Sequence, residues 1–173
     1  TINKRQVTLT SKSDSKEFDG TPLTAPDVKV SGDGFVEGEV TDLKATGTIT
    51  RAGSVANPIT YTKTKAFHED NYVIKEDIGT LTVKKIAKEV TVTSNNASKT
   101  YDGTALTNKT YTADSLPNGF TAKVEITGKI TNAGSTKNTI KSVVIMKGED
   151  DVTDQFESIV KKEGTLTVEK RQV

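Results

Sequence analysis

The sequence predicts an all-β chain of two tandem modules, each a small antiparallel, sandwich-like β domain, with a β-grasp-like arrangement carrying one short helical turn as the alternative. Three observations predict it. Threonine occurs 29 times in 173 residues, in runs such as Thr80-Leu81-Thr82-Val83 that alternate polar and aliphatic side chains, the pattern of a half-buried strand. Short runs of this kind are separated by turn residues. The chain also repeats itself: Val7-Thr8-Leu9-Thr10-Ser11 returns 83 residues on as Val90-Thr91-Val92-Thr93-Ser94.

Taken in order, the first copy places strands at 6–11, 28–30, 39–50, 59–65, 72–74 and 80–85, and the second copy mirrors them. Alternation puts Leu81 and Val83, and their counterparts Leu166 and Val168, on the core face with the threonines in water. The single stretch suited to a helical turn is 150–156, where acidic residues precede Phe156.

The repeat extends well beyond the first strand. Lys16-Glu17-Phe18-Asp19-Gly20-Thr21 matches Lys99-Thr100-Tyr101-Asp102-Gly103-Thr104, again 83 apart, while Gly47 and Gly128 stand 81 apart and Gly79 and Gly164 stand 85 apart. These drifts place small insertions and deletions in loops. Modules therefore span 1–87 and 88–173. The junction Lys84-Lys85-Ile86-Ala87-Lys88-Glu89 holds no Gly or Pro, so composition makes it short and stiff. Each repeat is expected to extend the chain by roughly ten residues of strand at about 3.3 Å each. Lys170-Arg171-Gln172-Val173 restates Lys4-Arg5-Gln6-Val7, so the pair reads as a unit of a longer array.

Composition narrows the functions. Hydrophobic residues make up 32% of the chain and aromatics 5%, enough for thin, well-patterned cores and not for one thick core. The 24 basic and 23 acidic side chains leave a net charge of +1, with no field to attract nucleic acid or acidic lipid. No cysteine is present, so neither a disulfide framework nor a thiol nucleophile exists. No apolar run approaches the roughly 20 residues of a membrane span.

The most distinctive local element is aromatic-Asp-Gly-Thr, at Phe18 to Thr21 and Tyr101 to Thr104. Glycine accepts positive φ and the Asp side chain bonds nearby amides, which makes a tight turn, and the ring is expected to pack inward. Here the chain resembles the YDG and related MBG-type tandem repeats of large bacterial surface proteins. The resemblance covers both copies and rests on this element, on Asp151-Val152-Thr153-Asp154-Gln155-Phe156, and on the closing Gly-Thr-Leu-Thr-Val at 79–83 and 164–168. The first copy departs from it, with Phe18 for Tyr and His68-Glu69-Asp70-Asn71-Tyr72 for the Asp-Val-Thr run. What the resemblance implies is a module of a wall-anchored or secreted adhesin of a Gram-positive bacterium, outside the cell, with no activity attached to individual residues.

Other chemistries find little footing. Glu149-Asp150-Asp151 with Asp154, and Glu69-Asp70, offer carboxylates but no loop with fixed ligand spacing, so solvated turns are expected, with no metal and no cofactor. His68 is the only histidine and has no sequence partner for a catalytic set. The glycines are scattered singly, not gathered into a phosphate loop. An internal Lys-Asn crosslink needs a lysine buried among apolar neighbours, and none is marked. No catalytic residue is assigned, and an enzyme is not expected.

The expected function is a stalk or spacer repeat projecting a binding domain from the cell wall, monomeric, with neighbouring repeats of the same chain as its partners. The alternative is a repeat that itself binds host glycan or matrix protein multivalently. In that case Tyr61, Tyr72 and Tyr111 are candidate platforms, although in so aromatic-poor a module core positions suit them better.

Overall fold

The computed structural model describes residues 1–173, which divide into two compact units, Thr1–Lys85 and Ile86–Val173. The first unit contains β1 (Arg5–Ser11), β2 (Asp14–Glu17), β3 (Val28–Gly32), β4 (Val40–Ala45), β5 (Gly53–Asn57), β6 (Ile59–Lys63), β7 (Tyr72–Asp77) and β8 (Gly79–Lys84). The second contains β9 (Val90–Ser94), β10 (Ala97–Thr100), β11 (Tyr111–Asp114), β12 (Phe120–Ile126), β13 (Gly134–Lys137), β14 (Ile140–Lys147), β15 (Asp150–Asp151), β16 (Ile159–Lys162) and β17 (Thr165–Glu169). Both units are all-β, and the only helical pieces are 3₁₀ turns at Glu69–Asn71 and Thr153–Gln155. The second turn falls inside the predicted 150–156 stretch; the first was not anticipated.

Each unit is built from two three-stranded sheets and a further antiparallel sheet. In the first these are β3-β1-β7, β2-β8-β5 and β4-β6; in the second, β11-β9-β16, β10-β17-β13, and the antiparallel pair β12-β14 extended by β15. Most pairings are antiparallel, as predicted. The exception lies at the centre of each unit, where the incoming and outgoing strands run parallel: β1 with β7 and β2 with β8 in the first, β9 with β16 and β10 with β17 in the second.

That parallel pair keeps one register along its whole length. Arg5 faces Tyr72, Thr10 faces Asp77, Asp14 faces Leu81 and Glu17 faces Lys84, each partner 67 residues on. In the second unit Val90 faces Ile159, Lys162 faces Thr93, Ala97 faces Leu166 and Thr100 faces Glu169, each 69 on. The incoming strand thus starts in one sheet and finishes in the other, as does the outgoing strand beside it.

Period-2 patterning explains the core. Val7, Leu9 and Ser11 alternate inward along β1, and Val90, Val92 and Ser94 do so along β9. Leu81, Val83, Leu166 and Val168 are buried from the other pair of strands, while Thr80 and Thr165 are exposed. Full burial of such a side chain is worth about 1.5–3 kcal/mol. Val7, Leu9 and Tyr72 form a cluster against which Phe35, Tyr61 and Phe67 pack. The Phe67 and Tyr72 rings are stacked, with centroids 5.0 Å apart.

The structure differs from the predicted strands in two places. The run at 39–50 does not remain a strand: β4 ends at Ala45, and beyond it only Ile49 makes an isolated bridge, to Leu23. The Gly47 amide there donates to the Asn57 side chain instead of to a ladder (2.9 Å). Conversely, β2 and β5 are strands without an apolar pattern, held by pairing to β8 on either side. The unit boundary falls before Ile86, which bridges to Phe156 and is buried in the second unit.

Candidate functional site

The repeated residues resolve into two polar constellations, present in both units. The first is built on the aromatic-Asp-Gly-Thr turn. Gly20 and Gly103 both sit at φ 81°, the left-handed region that glycine enters without penalty. This brings Thr21 back onto Asp19: the Thr21 amide and hydroxyl both donate to Asp19 Oδ1, at 2.8 and 2.7 Å. Lys16 closes the ring from β2, its Nζ donating to Asp19 Oδ1 (2.8 Å), to the Thr21 carbonyl (2.8 Å) and to Thr21 Oγ1 (2.7 Å). Lys99, Asp102 and Thr104 repeat every one of these bonds at 2.7–2.9 Å.

The Lys16 ammonium, then the Thr21 hydroxyl and amide, hold the Asp19 carboxyl well below the usual carboxylate range. The Lys99 ammonium, then the Thr104 amide and hydroxyl, do the same for Asp102. All three ammonium hydrogens of each lysine are committed to bonds within the turn. The Asp side chains bond the nearby threonine amides, the turn chemistry expected from the sequence, and with the Thr hydroxyls they hold the turn to its strand.

The second constellation is buried and was missed in the sequence. Asn57 is fully enclosed; its Nδ2 donates to the Lys12 and Ala25 carbonyls (3.0 and 2.9 Å) and its Oδ1 accepts from Gly47. Ser11 Oγ donates to the Asn57 carbonyl (2.6 Å) and accepts the Gly79 amide (2.8 Å). The hydroxyl therefore bridges three strands where β1 passes into β2. In the second unit Ser94 Oγ donates to the Asn138 carbonyl (2.5 Å) and accepts from Gly164 (3.0 Å), and Asn138 Nδ2 donates to the Asn95 and Asn108 carbonyls (2.9 and 2.8 Å). Asn138 Oδ1, unlike its counterpart, has no hydrogen-bond partner.

Close approach explains the glycines of this node. A Cβ on Gly79 would stand 2.5 Å from the Lys12 carbonyl carbon and oxygen, and one on Gly164 the same distance from the Ser94 oxygen. At Gly47 and Gly128 it would meet the Asn57 and Asn138 Cα atoms at 2.8 and 2.6 Å. The signal for the node was in the sequence: in both copies an Asn follows the Thr-Gly pair by ten residues, Gly47 to Asn57 and Gly128 to Asn138.

The remaining candidates are dispersed. Glu69 pairs with Lys63 at 3.2 Å, Asp151 Oδ1 accepts the Thr153 amide and hydroxyl at 3.0 and 2.6 Å, and Asp154 accepts from Gln155 at 3.1 Å. No three His, Asp or Glu side chains converge as a metal group would require. His68 is exposed, ahead of the first 3₁₀ turn, and makes no capping bond. No lysine is buried.

Of the tyrosines, Tyr72 is buried, and its hydroxyl donates to the Glu39 carboxylate while accepting the Val36 amide at 3.0 Å. Tyr61 is half-buried in the aromatic cluster, and Tyr111 is half-buried with its hydroxyl donating to the Ala122 carbonyl at 2.7 Å. The inward packing expected for the motif aromatic holds for Phe18, which is 4% exposed, but not for Tyr101, which is 40% exposed. Tyr101 instead borders an open cleft of about 400 Å³ with Asn132, Ala133, Lys170 and Arg171. No protein-family model and no curated protein matches the chain.

Proposed function

We propose that the chain is a spacer: a pair of modules that carries a polypeptide across a distance, as the repeats of a bacterial surface adhesin do when they hold a binding domain away from the cell wall. The observation that carries this reading is the parallel pairing of incoming and outgoing strands. Because β1–β2 and β7–β8 run the same way, the polypeptide reaches a unit at Arg5 and leaves it at Lys84, opposite Glu17 at the far end of the pair. Each unit is crossed from one end to the other. An antiparallel terminal pair would return the chain to its starting end. The strand from Arg5 to Glu17, at about 3.3 Å per residue, makes the crossing about 40 Å.

The internal use of the repeated side chains fits this reading. Lys16, Asp19 and Thr21, and Ser11 with Asn57, bond to one another and to backbone, and they do so again in the second unit, so what the repeat preserves is the module itself.

A second reading, direct binding of a host glycan or matrix protein, is favoured by one feature, the exposed Tyr101 beside Asn132, Lys170 and Arg171. An aromatic face with neighbouring polar groups suits a sugar ring. Arrayed glycans and matrix proteins probed with the chain separate the two. A spacer gives no saturable signal, whereas saturable binding that disappears in Tyr101→Ala transfers the function to the cleft.

A further inference from the structure

Taking the spacer reading as given, we infer that each module is also a tension clamp, which resists a pull on its two ends far better than it resists being peeled open. Tension along the chain pulls Arg5 one way and Lys84 the other. These residues lie at opposite ends of two parallel strands in constant register, so the pull is directed along the strands and across their hydrogen bonds. A ladder loaded in this way shares the force among all its bonds, and they must fail together. A ladder loaded from one end presents its bonds one at a time, and each is weak on its own.

The sheet order reinforces the effect. The strand that receives force at the incoming end, β1, is the central strand of β3-β1-β7, and the strand that receives it at the outgoing end, β8, is the central strand of β2-β8-β5. Neither pulled strand lies at an edge; to slide, each must break ladders on both flanks. In the second unit β9 and β17 hold the same central positions.

The weak point of such a design is the passage from one sheet to the other, where the backbone ladder is interrupted. There side chains complete it. Ser11 Oγ accepts the Gly79 amide and Ser13 Oγ accepts the Thr80 amide at 2.8 and 2.9 Å. In the second unit Ser94 Oγ takes Gly164 and Asn96 Oδ1 takes Thr165, at 3.0 and 2.7 Å. The inward-facing Val7, Leu9, Leu81 and Val83 are all but fully buried, so sliding the strands must also expose apolar surface to water.

Single-molecule force spectroscopy tests this on the 173-residue chain, which has no cysteine of its own. Gln6→Cys with Lys84→Cys loads the first module in shear. Gln6→Cys with Val73→Cys attaches the handles to facing residues and peels the same strands apart. All three positions are exposed, and equal melting temperatures for the two variants confirm an unaltered fold. At one loading rate the shear pair is expected to rupture at a force roughly twofold or more above the peeled pair, since forced unfolding follows the barrier along the direction pulled. Adding Ser11→Ala should lower the shear force and leave the onset of peeling unchanged, because peeling begins at the other end. Equal rupture forces in the two geometries would overturn the clamp. That result leaves the spacer reading standing, just as ligand capture by the Tyr101 cleft would remove the spacer reading without touching the mechanics.

Discussion

Lys16 and Asp19 meet at 2.8 Å across the aromatic-Asp-Gly-Thr turn of the first module, and Lys99 and Asp102 meet at 2.7 Å in the second, each pair sharing a threonine two residues beyond the Asp. The Asp side chains are just over half exposed, so the pairs act as fasteners for the turn and not as a major store of stability.

The pH dependence of the fold follows from the sign of their shift. The lysine bond, with those of the threonine, depresses the folded-state pKa of Asp19 and Asp102. Their contribution is present above the unfolded carboxylate value of about 3.9 and is lost as pH falls through the folded value. Melting temperature should therefore drop between pH 5 and pH 2, and the drop should be smaller in Asp19→Asn with Asp102→Asn. Calorimetric scans across that range check it; parallel curves for the two proteins would refute it.

At the other end of the scale, burial first and the Glu39 carboxylate second push the Tyr72 hydroxyl up from its ordinary value. A raised folded pKa means stability that is intact below the unfolded value of about 10 and declines as pH rises through the folded one. Ultraviolet titration should show one of the four tyrosines ionising late, together with unfolding. Tyr72→Phe should remove that step and, at neutral pH, cost about 1–2 kcal/mol for the orphaned Val36 amide and Glu39 carboxylate.

Gly79→Ala and Gly164→Ala each force a Cβ into backbone at 2.5 Å. A loss of about 2–4 kcal/mol in the module concerned is expected, the size associated with overpacking and backbone strain. Hydrogen exchange resolved by segment reads it as faster exchange confined to Thr1–Lys85 or to Ile86–Val173. Protection equal to the unmodified chain in both would show that the strands separate freely there.

The two buried asparagines should respond unequally. Asn57→Ala strands the Lys12 and Ala25 carbonyls and the Gly47 amide, whereas Asn138→Ala strands two carbonyls and removes an acceptor that had no partner. At about 1 kcal/mol or more per stranded group, Asn57→Ala is expected to be the costlier by about that amount. Segment-resolved exchange under increasing denaturant measures both, and an equal loss would mean that Asn138 Oδ1 is as well satisfied in solution as Asn57 Oδ1.

How much of this was legible depended on where the information lay. Strands β1, β8, β9 and β17 announced themselves because their own side chains alternate, as Leu81 and Val83 do with Thr80 and Thr82. Strand β2 could not, since Asp14-Ser15-Lys16-Glu17 has no apolar residue and becomes a strand through the chain beside it. The same holds for β5, where only Asn57 is buried. Thr46 to Thr50 carries a strand-like alternation that fails because the Gly47 amide is taken by a side chain ten residues away. Parallel pairing of the terminal strands was out of reach of local pattern, its partners lying 67 residues apart. Lys16 and Lys99 stood in the repeated motif all along, three residues ahead of each Asp; chemistry, not periodicity, was needed to see them as part of it.

The offset between the two copies also has an address in the fold. It is 83 at Asp19 and Asp102, 81 at Asn57 and Asn138, and 85 at Gly79 and Gly164. The loss falls between β3 and the end of β4, and the gain between Asn57 and Gly79, where β14 is longer than β6 and β15 is added. Both changes lie in the part of the module that carries β4-β6 or β12-β14; none lies along β1–β2 or β7–β8. The two copies thus differ in length in one half only. A designer wishing to graft a loop, tag or recognition peptide onto such a repeat has there a site whose tolerance the molecule itself has demonstrated.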